Sequence, residues 1–153
     1  MSMTRVEASV EIAAPLEDVF AYASDWRRWE EWWLGVSDFR PTTEVTRGNG
    51  TRYAYKAWIA GIRLGLETEV CDFVENVGWR GVVTRGTPHT TRWVFEPAGT
   101  GTRLTYTLEY RIPVPVLGPP LDSLFMRPGW QRRLERSLAN LKVRLEAPPK
   151  EAR

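Results

Sequence analysis

The side chains with the most binding chemistry in this chain are aromatic. Eight tryptophans and five tyrosines occur among 153 residues, and this number of tryptophans is well above the usual content of a globular domain. Large rings bury much apolar surface, and a buried tyrosine hydroxyl needs a hydrogen-bond partner. Several inward-facing tyrosines therefore fit a partly hydrated binding site more easily than a dry core.

Strand periodicity indicates which rings share an inward face, because alternate residues of a strand point to the same side of a sheet. Rings of one parity occur in three predicted strands, and one further ring lies on the apolar stripe of a predicted helix. With two tryptophans of a short helix, the candidate cavity-lining residues are Tyr53, Tyr55, Trp93, Phe95, Tyr106, Tyr110, Phe125, Trp32 and Trp33. The alternative, that these rings pack against one another as ordinary core, stays open.

Four tryptophans fall within eight residues, at Trp26, Trp29, Trp32 and Trp33. A helix this short cannot turn all four inward, so some are expected to be partly exposed. The preferred location is the rim of a cavity. Packing under a sheet edge, a partner surface and a membrane interface are the alternatives.

Catalytic and metal-binding signatures are absent from the sequence. The single histidine, His89, falls in a turn, which is typical of an exposed loop residue. No Gly-x-Ser-x-Gly, His-Glu-x-x-His or His/Cys cluster occurs, so neither a common hydrolase site nor a metal site is expected. Glu67, Glu69 and Arg63 alternate with apolar residues in a predicted strand and are expected to face solvent. We therefore assign no catalytic residue, metal or cofactor.

Charge and composition restrict the partners. Residues 127–146 carry six basic and two acidic side chains, a local net charge of +4, whereas the whole chain carries only +2. An outer helix face in solvent explains this pattern better than a nucleic-acid surface, since the helix has few aromatic residues for stacking on bases. The longest uncharged run, residues 112–121, is too short and too rich in proline for stable membrane insertion. Oligomeric state is not predicted.

The single cysteine and the composition of the first residues indicate the cellular compartment. Cys71 is the single cysteine and cannot form an internal disulfide, and the first residues lack the apolar core of a secretion signal. A reducing cytoplasm is therefore the expected location.

The elements that must position these residues can be read from periodicity. Residues 6–12 alternate as a strand, Pro15 opens a helix, and Ser24 or Asp25 can cap a second short helix that Gly35 ends. Six further strands are expected, at residues 36–46, 51–59, 62–75, 79–85, 90–96 and 102–112. A long amphipathic helix follows from Leu121, with a kink or break near Pro128. Residues 1–147 form one domain in this prediction, with a flexible tail at 148–153.

A spacing of apolar residues around one alanine–proline pair precedes the tryptophan-rich helix. It runs through Val6, Ala14, Pro15, Val19, Phe20, Asp25, Trp26 and Trp29. This pattern resembles the polyketide cyclase/dehydrase branch of the START-like, Bet v 1-like superfamily, and the resemblance continues over nearly the whole chain. It implies an α+β helix-grip fold, in which a seven-stranded antiparallel sheet curls around a long C-terminal helix and two short helices follow strand 1.

Three functions stay open, the first favoured by the inward-facing rings and the missing catalytic signatures and the other two implied by the resemblance. The preferred one is binding or transport of a hydrophobic small molecule, lipid-like or polycyclic, between the sheet and the terminal helix. The second is a polyketide aromatase/cyclase or a dehydratase. The third is a protein-partner module of the Hsp90-activator type, with the tryptophans as its contact surface. Fold alone cannot choose among them.

Overall fold

Seven strands and one long helix account for most of the computed structural model, which describes residues 4–59, 61–110 and 127–146. In chain order the elements are strand β1 (Thr4–Ile12), helix α1 (Leu16–Ala23), a 3₁₀ turn (Trp26–Arg28), helix α2 (Trp29–Trp32), strands β2 (Val36–Pro41), β3 (Arg52–Ile59), β4 (Ile62–Val74), β5 (Gly78–Arg85), β6 (His89–Ala98) and β7 (Gly101–Tyr110), and helix α3 (Arg127–Glu146). The sequence predictions for residues 111–126, which include Phe125, and for the tail at 148–153 lie outside the described residues.

The strands form one antiparallel sheet in the order β1-β7-β6-β5-β4-β3-β2. Consecutive strands from β2 to β7 pair as neighbours, and β1 forms an edge of the sheet by pairing with β7, from Thr4 opposite Tyr110 to Ile12 opposite Thr102. Register shifts interrupt the β2–β3 and β4–β5 pairs, and such irregularities bend a strand and increase its twist. The predicted fold, a seven-stranded antiparallel sheet with a terminal helix and short helices after the first strand, is confirmed.

The first elements follow from local chemistry. In β1 the alternate residues Val6, Ala8 and Ile12 are buried, as the period of two requires. Pro15 occupies the N-cap position of α1, where a missing N–H costs nothing. The side chain of Asp25 caps the 3₁₀ turn by accepting a hydrogen bond from the backbone N–H of Arg27 at 3.1 Å.

Strand β2 ends at Pro41, five residues before the predicted end. Proline lacks the N–H that a continuing ladder needs. Beyond it the backbone N–H of Thr42 still donates to the Arg52 carbonyl at 2.8 Å, and the Thr43 hydroxyl accepts the backbone N–H of Arg52 at 3.2 Å.

Helix α3 packs on β1 and on α2, with Leu134, Leu138 and Leu141 buried. Polar side chains tie it to β1: the amide of Gln131 donates to the Glu7 carbonyl at 2.8 Å, and the ammonium of Lys142 donates to the Glu11 carbonyl at 2.6 Å. No helix within the described ranges is both long and apolar enough to cross a bilayer.

Pro128 is the second residue of α3 within its described range. Within residues 127–146 the helix is continuous. The predicted helical part before Arg127 lies outside the described residues.

Candidate ligand cavity

A cavity of about 240 Å³ lies between the inner face of the sheet, the tryptophan-rich segment and α3, and it is partly open to the surface. A single water needs only about 10–15 Å³ of such space, so the cavity has room for an organic molecule. Of the 22 lining residues that belong to the described ranges, ten are aromatic. They are Trp29, Trp33, Phe39, Tyr53, Tyr55, Trp79, Trp93, Tyr106, Tyr110 and Trp130. Leu34, which lines the cavity and is 38% exposed, marks where the wall reaches solvent.

The wall rings are fixed by contacts with one another. Phe39 stacks on Trp33 with centroids 5.7 Å apart and on Tyr55 with centroids 4.9 Å apart. Trp79 and Trp93 form a second stack at 5.3 Å. Trp33 meets Trp93 edge to face at 5.3 Å and so links the two stacks. The wall is therefore a connected set of rings rather than independent side chains.

Six of the nine residues expected from the sequence lie on this wall. They are Trp33, Tyr53, Tyr55, Trp93, Tyr106 and Tyr110. The structure brings these six together from the end of α2 and from the strands β3, β6 and β7, and it places two of the other three elsewhere. Phe125 lies outside the described residues.

Phe95 and Trp32 are not on the wall, so the structure corrects these two assignments. Phe95 shares the face of Trp93 but lies two residues further along β6, where the ring of Phe20 from α1 covers it at 4.9 Å. Trp32 is 1% exposed and packs behind Trp33, with ring centroids 5.9 Å apart. Strand parity gives the face of a residue and not its depth, which explains the error for Phe95.

The tryptophan-rich segment divides into two buried and two half-buried rings. Trp29 and Trp32 are buried, whereas Trp26 and Trp33 are half-buried. The indole N–H of Trp29 donates to the carbonyl of Ala23, the last residue of α1, at 2.8 Å. The indole N–H of Trp32 has no hydrogen-bond partner within the described part of the chain.

His89 is half-buried on the cavity wall, so the expectation of an exposed loop histidine was wrong. It is the first residue of β6 and shares the inward face of Thr91 and Trp93, a parity that could have identified it in the sequence. Because residues 86–88 are typical of a turn, the sequence placed His89 in that turn and not at the start of the strand. Burial lowers the pKa of the His89 imidazole, which favours its neutral form.

The hydrogen bonds of His89 define its tautomer. Nδ1 lies 2.8 Å from the Thr87 carbonyl oxygen, which can only accept, so Nδ1 carries the proton. Nε2 therefore accepts from the Tyr55 hydroxyl at 3.4 Å. The Tyr55 oxygen in turn accepts from the Thr68 hydroxyl at 2.9 Å. This chain of hydrogen bonds makes one part of the wall polar without giving it a charge.

The other wall tyrosines differ in how their hydroxyl groups are used. Tyr53 donates to the Thr46 carbonyl at 3.1 Å, and burial raises its pKa to about 12. Burial raises the pKa of Tyr106 well above the ordinary value, so its hydroxyl stays protonated and can donate. Tyr106 is 3% exposed, and its hydroxyl has no hydrogen-bond partner among the residues that the structure describes.

No Asp, Glu, Lys or Arg is among the lining residues in the described ranges. Glu67 and Glu69 lie on the outer face of β4, where Glu67 accepts from the Thr84 hydroxyl at 2.8 Å and Glu69 pairs with Arg52 at 2.9 Å. Arg63 is exposed and pairs with Asp38 at 2.8 Å. These charged residues therefore do not reach the cavity.

Metal coordination has no cluster to support it in the part of the chain described. There, no three His, Cys, Asp or Glu side chains come together as a ligand set. The donors on the cavity wall are hydroxyl groups and one imidazole.

Comparison with solved structures gives extensive matches to this architecture. A protein of Thermus thermophilus, TTHA0849, matches with a TM-score of 0.80 and 26% identity over 94% of this chain and 98% of that one. A START superfamily protein from Mycobacterium smegmatis matches with a TM-score of 0.75 and 22% identity over 93% and 97% of the two chains. The di-domain ARO/CYC BexL from the BE-7585A biosynthetic pathway matches with a TM-score of 0.76 and 19% identity, over 96% of this chain and 51% of its own.

No curated protein matches the sequence. A family model described as polyketide cyclase / dehydrase and lipid transport matches residues 3–146, which is nearly the whole chain. The solved structures have the same fold as this chain, and one of them is described as a START superfamily protein. The chain therefore belongs to the polyketide cyclase/dehydrase and lipid transport family.

Proposed function

We propose that this protein binds a hydrophobic small molecule in the cavity and carries it without changing it. The observation that carries the proposal is the space of about 240 Å³ inside a wall of ten aromatic rings. A domain of this size normally fills its interior at the density of an organic crystal, with few voids larger than a water. An apolar guest would restore the contacts that the wall lacks.

The opening of the cavity supports exchange of such a guest. Leu34 lies on the wall and is 38% exposed, and the cavity is partly open to the surface. Small-molecule sites are typically concave, mostly apolar and provided with a few polar groups. This wall has that composition.

The test is binding to the intact chain and to a variant with a filled cavity. Native mass spectrometry of protein purified from its host is expected to detect a retained apolar molecule. Tryptophan fluorescence is expected to respond to a panel of polycyclic and lipid-like compounds. A single apo mass together with no fluorescence response to any compound would contradict the proposal.

Ala57→Phe is the filling variant, because Ala57 is buried and lines the cavity. Its ring would occupy part of the space, so affinity for the panel is expected to fall at least tenfold while the circular dichroism spectrum stays unchanged. Ala21→Phe, at an exposed position of α1, is the matched control and is expected to bind as the wild type does.

A second candidate function is enzymatic, of the aromatase/cyclase or dehydratase type. The observation that favours it is the neutral imidazole of His89 beside the Tyr55 hydroxyl on the wall of an apolar cavity. Such a pair can move a proton during an aldol cyclisation and the loss of water that follows. The test is incubation with a β-keto thioester, followed by mass spectrometry for a product that is lighter than the substrate by one water. His89→Gln is expected to abolish that product if the activity exists.

The third function, a protein-partner module, depends on exposed tryptophans as its contact surface. Trp32 is 1% exposed and Trp33 lies on the cavity wall. The solved Aha1 dimer of Colwellia psychrerythraea is similar at 14% identity, which concerns the fold alone. No feature of the described residues favours this function over the two above.

A further inference from the structure

We propose that the ligand is an uncharged, ring-bearing molecule and that one of its oxygen atoms accepts a hydrogen bond from the Tyr106 hydroxyl. This inference rests on the proposed binding function and specifies the chemical class of the ligand. Three features of the described wall residues support it: they carry no charge, the Tyr106 hydroxyl is the one tyrosine donor among them without a partner, and their rings are arranged in stacks and edges.

The lack of charge among the described lining residues disfavours an ionised ligand group beside them. The 22 described lining residues include no acidic, lysine or arginine side chain. The imidazole of His89 is neutral, with Nδ1 bonded to the Thr87 carbonyl and Nε2 bonded to Tyr55. A carboxylate, phosphate or ammonium group placed here would lose its hydration without gaining an ion partner, which is strongly unfavourable.

Which tyrosine donates to the ligand follows from the hydrogen bonds that the hydroxyl groups of the wall tyrosines already make. Tyr53 donates to Thr46 and Tyr55 donates to His89, so neither hydroxyl proton is available to a ligand without breaking a bond. Tyr110 also has interactions of its own. Tyr106 alone of these four has a hydroxyl without a partner among the described residues, although it is only 3% exposed.

The Tyr106 hydroxyl is not among the described side-chain atoms that lack both a partner and accessible surface, so this unused donor is reached from the cavity that Tyr106 lines. A carbonyl or hydroxyl oxygen of a ligand would satisfy this donor. Because the Tyr106 hydroxyl retains its proton, the ligand atom that meets it is an acceptor.

The rings favour a flat ligand. Trp33, Phe39 and Tyr55 form a stack whose interplanar angles are 25° and 20°. The ring of Trp93 stands edge-on to Tyr106, with planes 76° apart. Faces and edges of aromatic rings attract further rings in stacked or edge-to-face positions. A planar skeleton with one oxygen substituent, such as an aromatic ketone or a phenol, fits these features.

The test uses three probes that share one skeleton and the intact protein at neutral pH. 2-Acetylnaphthalene is neutral with an acceptor, 2-ethylnaphthalene is neutral without one, and 2-naphthoate is charged. Binding is measured by tryptophan fluorescence and by isothermal titration. The wild type is expected to bind both neutral probes and to bind 2-naphthoate at least 100-fold more weakly than 2-acetylnaphthalene.

Tyr106→Phe is the diagnostic variant, since it removes the hydroxyl and keeps the ring. A net hydrogen bond is worth about a fivefold to tenfold change in affinity, so 2-acetylnaphthalene should bind about that much more weakly. 2-Ethylnaphthalene should bind as tightly as before. Tyr22→Phe is the matched control, because the Tyr22 hydroxyl donates to Glu31 away from the cavity. Thermal unfolding of each variant verifies that it is folded.

The outcomes separate this inference from the function on which it rests. If neither neutral probe binds the wild type, the binding function itself is contradicted. Tight binding of 2-naphthoate would contradict the uncharged ligand class. If the neutral probes bind but Tyr106→Phe affects both equally or neither, the role of Tyr106 is wrong and the binding function stands.

Discussion

Trp93 and Tyr106 lie directly opposite each other on β6 and β7, and their rings meet edge to face with centroids 4.3 Å apart. Both residues are buried, and both line the cavity. The two interpretations that the sequence left open, core packing and cavity lining, therefore apply to the same pair. Ring contacts of this kind contribute about 0.5–1.5 kcal/mol beyond burial, which helps the wall to resist collapse into the empty space.

Replacing Trp29 by phenylalanine should lower the free energy of unfolding more than replacing Trp32 does. Trp29→Phe removes the indole N–H that satisfies the Ala23 carbonyl at the end of α1, whereas Trp32→Phe removes an N–H without a partner in the described part of the chain. An orphaned buried polar group costs about 1–3 kcal/mol. We expect Trp29→Phe to lower the free energy of unfolding by at least about 1 kcal/mol more than Trp32→Phe does.

Urea unfolding followed by circular dichroism measures this difference without relying on tryptophan emission. Each variant serves as the control of the other, because the same group of atoms is removed from a buried ring. Equal losses in the two variants would show that neither indole N–H affects stability in the way described.

Gly35 should tolerate alanine less well than Gly61. Both have a φ of +81°, in the left-handed region that costs a non-glycine residue about 1–2 kcal/mol. A Cβ at Gly35 would lie 2.7 Å from Nη1 of Arg133, whereas a Cβ at Gly61 would meet no atom within 4 Å. The Arg133 guanidinium cannot move freely, since it donates to the Trp58 carbonyl at 2.7 Å and lies over the Trp130 ring at 4.5 Å.

We therefore expect Gly35→Ala to cost about 1 kcal/mol more than Gly61→Ala in chemical denaturation. In an Arg133→Ala background the extra cost should disappear, because the colliding group is gone. A double-mutant cycle measures this coupling. Retention of the full difference in that background would show that the contact with Arg133 is not its cause.

The sequence predicted what depends on local pattern and missed what depends on three-dimensional depth. The strand period of β1, the proline before α1 and the Asp25 cap are local, and the structure has all three. Phe95 and Trp32 were expected on the cavity wall, but their distance from the cavity depends on how Phe20 and Trp33 cover them. Residues of one strand face can line a cavity or lie beyond its end, and periodicity does not distinguish these cases.

Ser137 should control how firmly α3 holds the exposed end of the cavity wall. Its hydroxyl donates to the Arg133 carbonyl at 2.8 Å and accepts the backbone N–H of Leu34 at 2.9 Å. Ser137→Ala leaves that N–H without its partner, which should cost about 1 kcal/mol. The amide of Leu34 should then exchange with deuterium faster than in the wild type. Ser9→Ala, at an exposed position of β1, is the control and should leave that rate unchanged. Exchange of the Leu34 amide at the wild-type rate in Ser137→Ala would contradict this bridge.

His89 should make the folded state less stable as the solution becomes acidic. Burial lowers its pKa below the ordinary value of 6.5, so the unfolded chain binds the proton more readily than the folded one. Its contribution is complete above pH 6.5 and is lost as the pH falls through the lower pKa of the folded state. Glu67 and Glu75 have pKa values lowered from 4.5, so their contributions are lost only at more acidic pH.

The free energy of unfolding is therefore expected to fall in the wild type as the pH drops below 6.5 and through the lower pKa of His89 in the folded state, and to change much less in His89→Gln. Because the chain contains one histidine, a proton NMR titration follows a single imidazole in the folded protein and in urea. The folded midpoint should lie below the unfolded one, since the imidazole loses hydration on the cavity wall and its Nε2 already accepts from Tyr55. A folded midpoint at or above the unfolded value would mean that His89 is hydrated in solution, and the wall described here would then be open to water at that point.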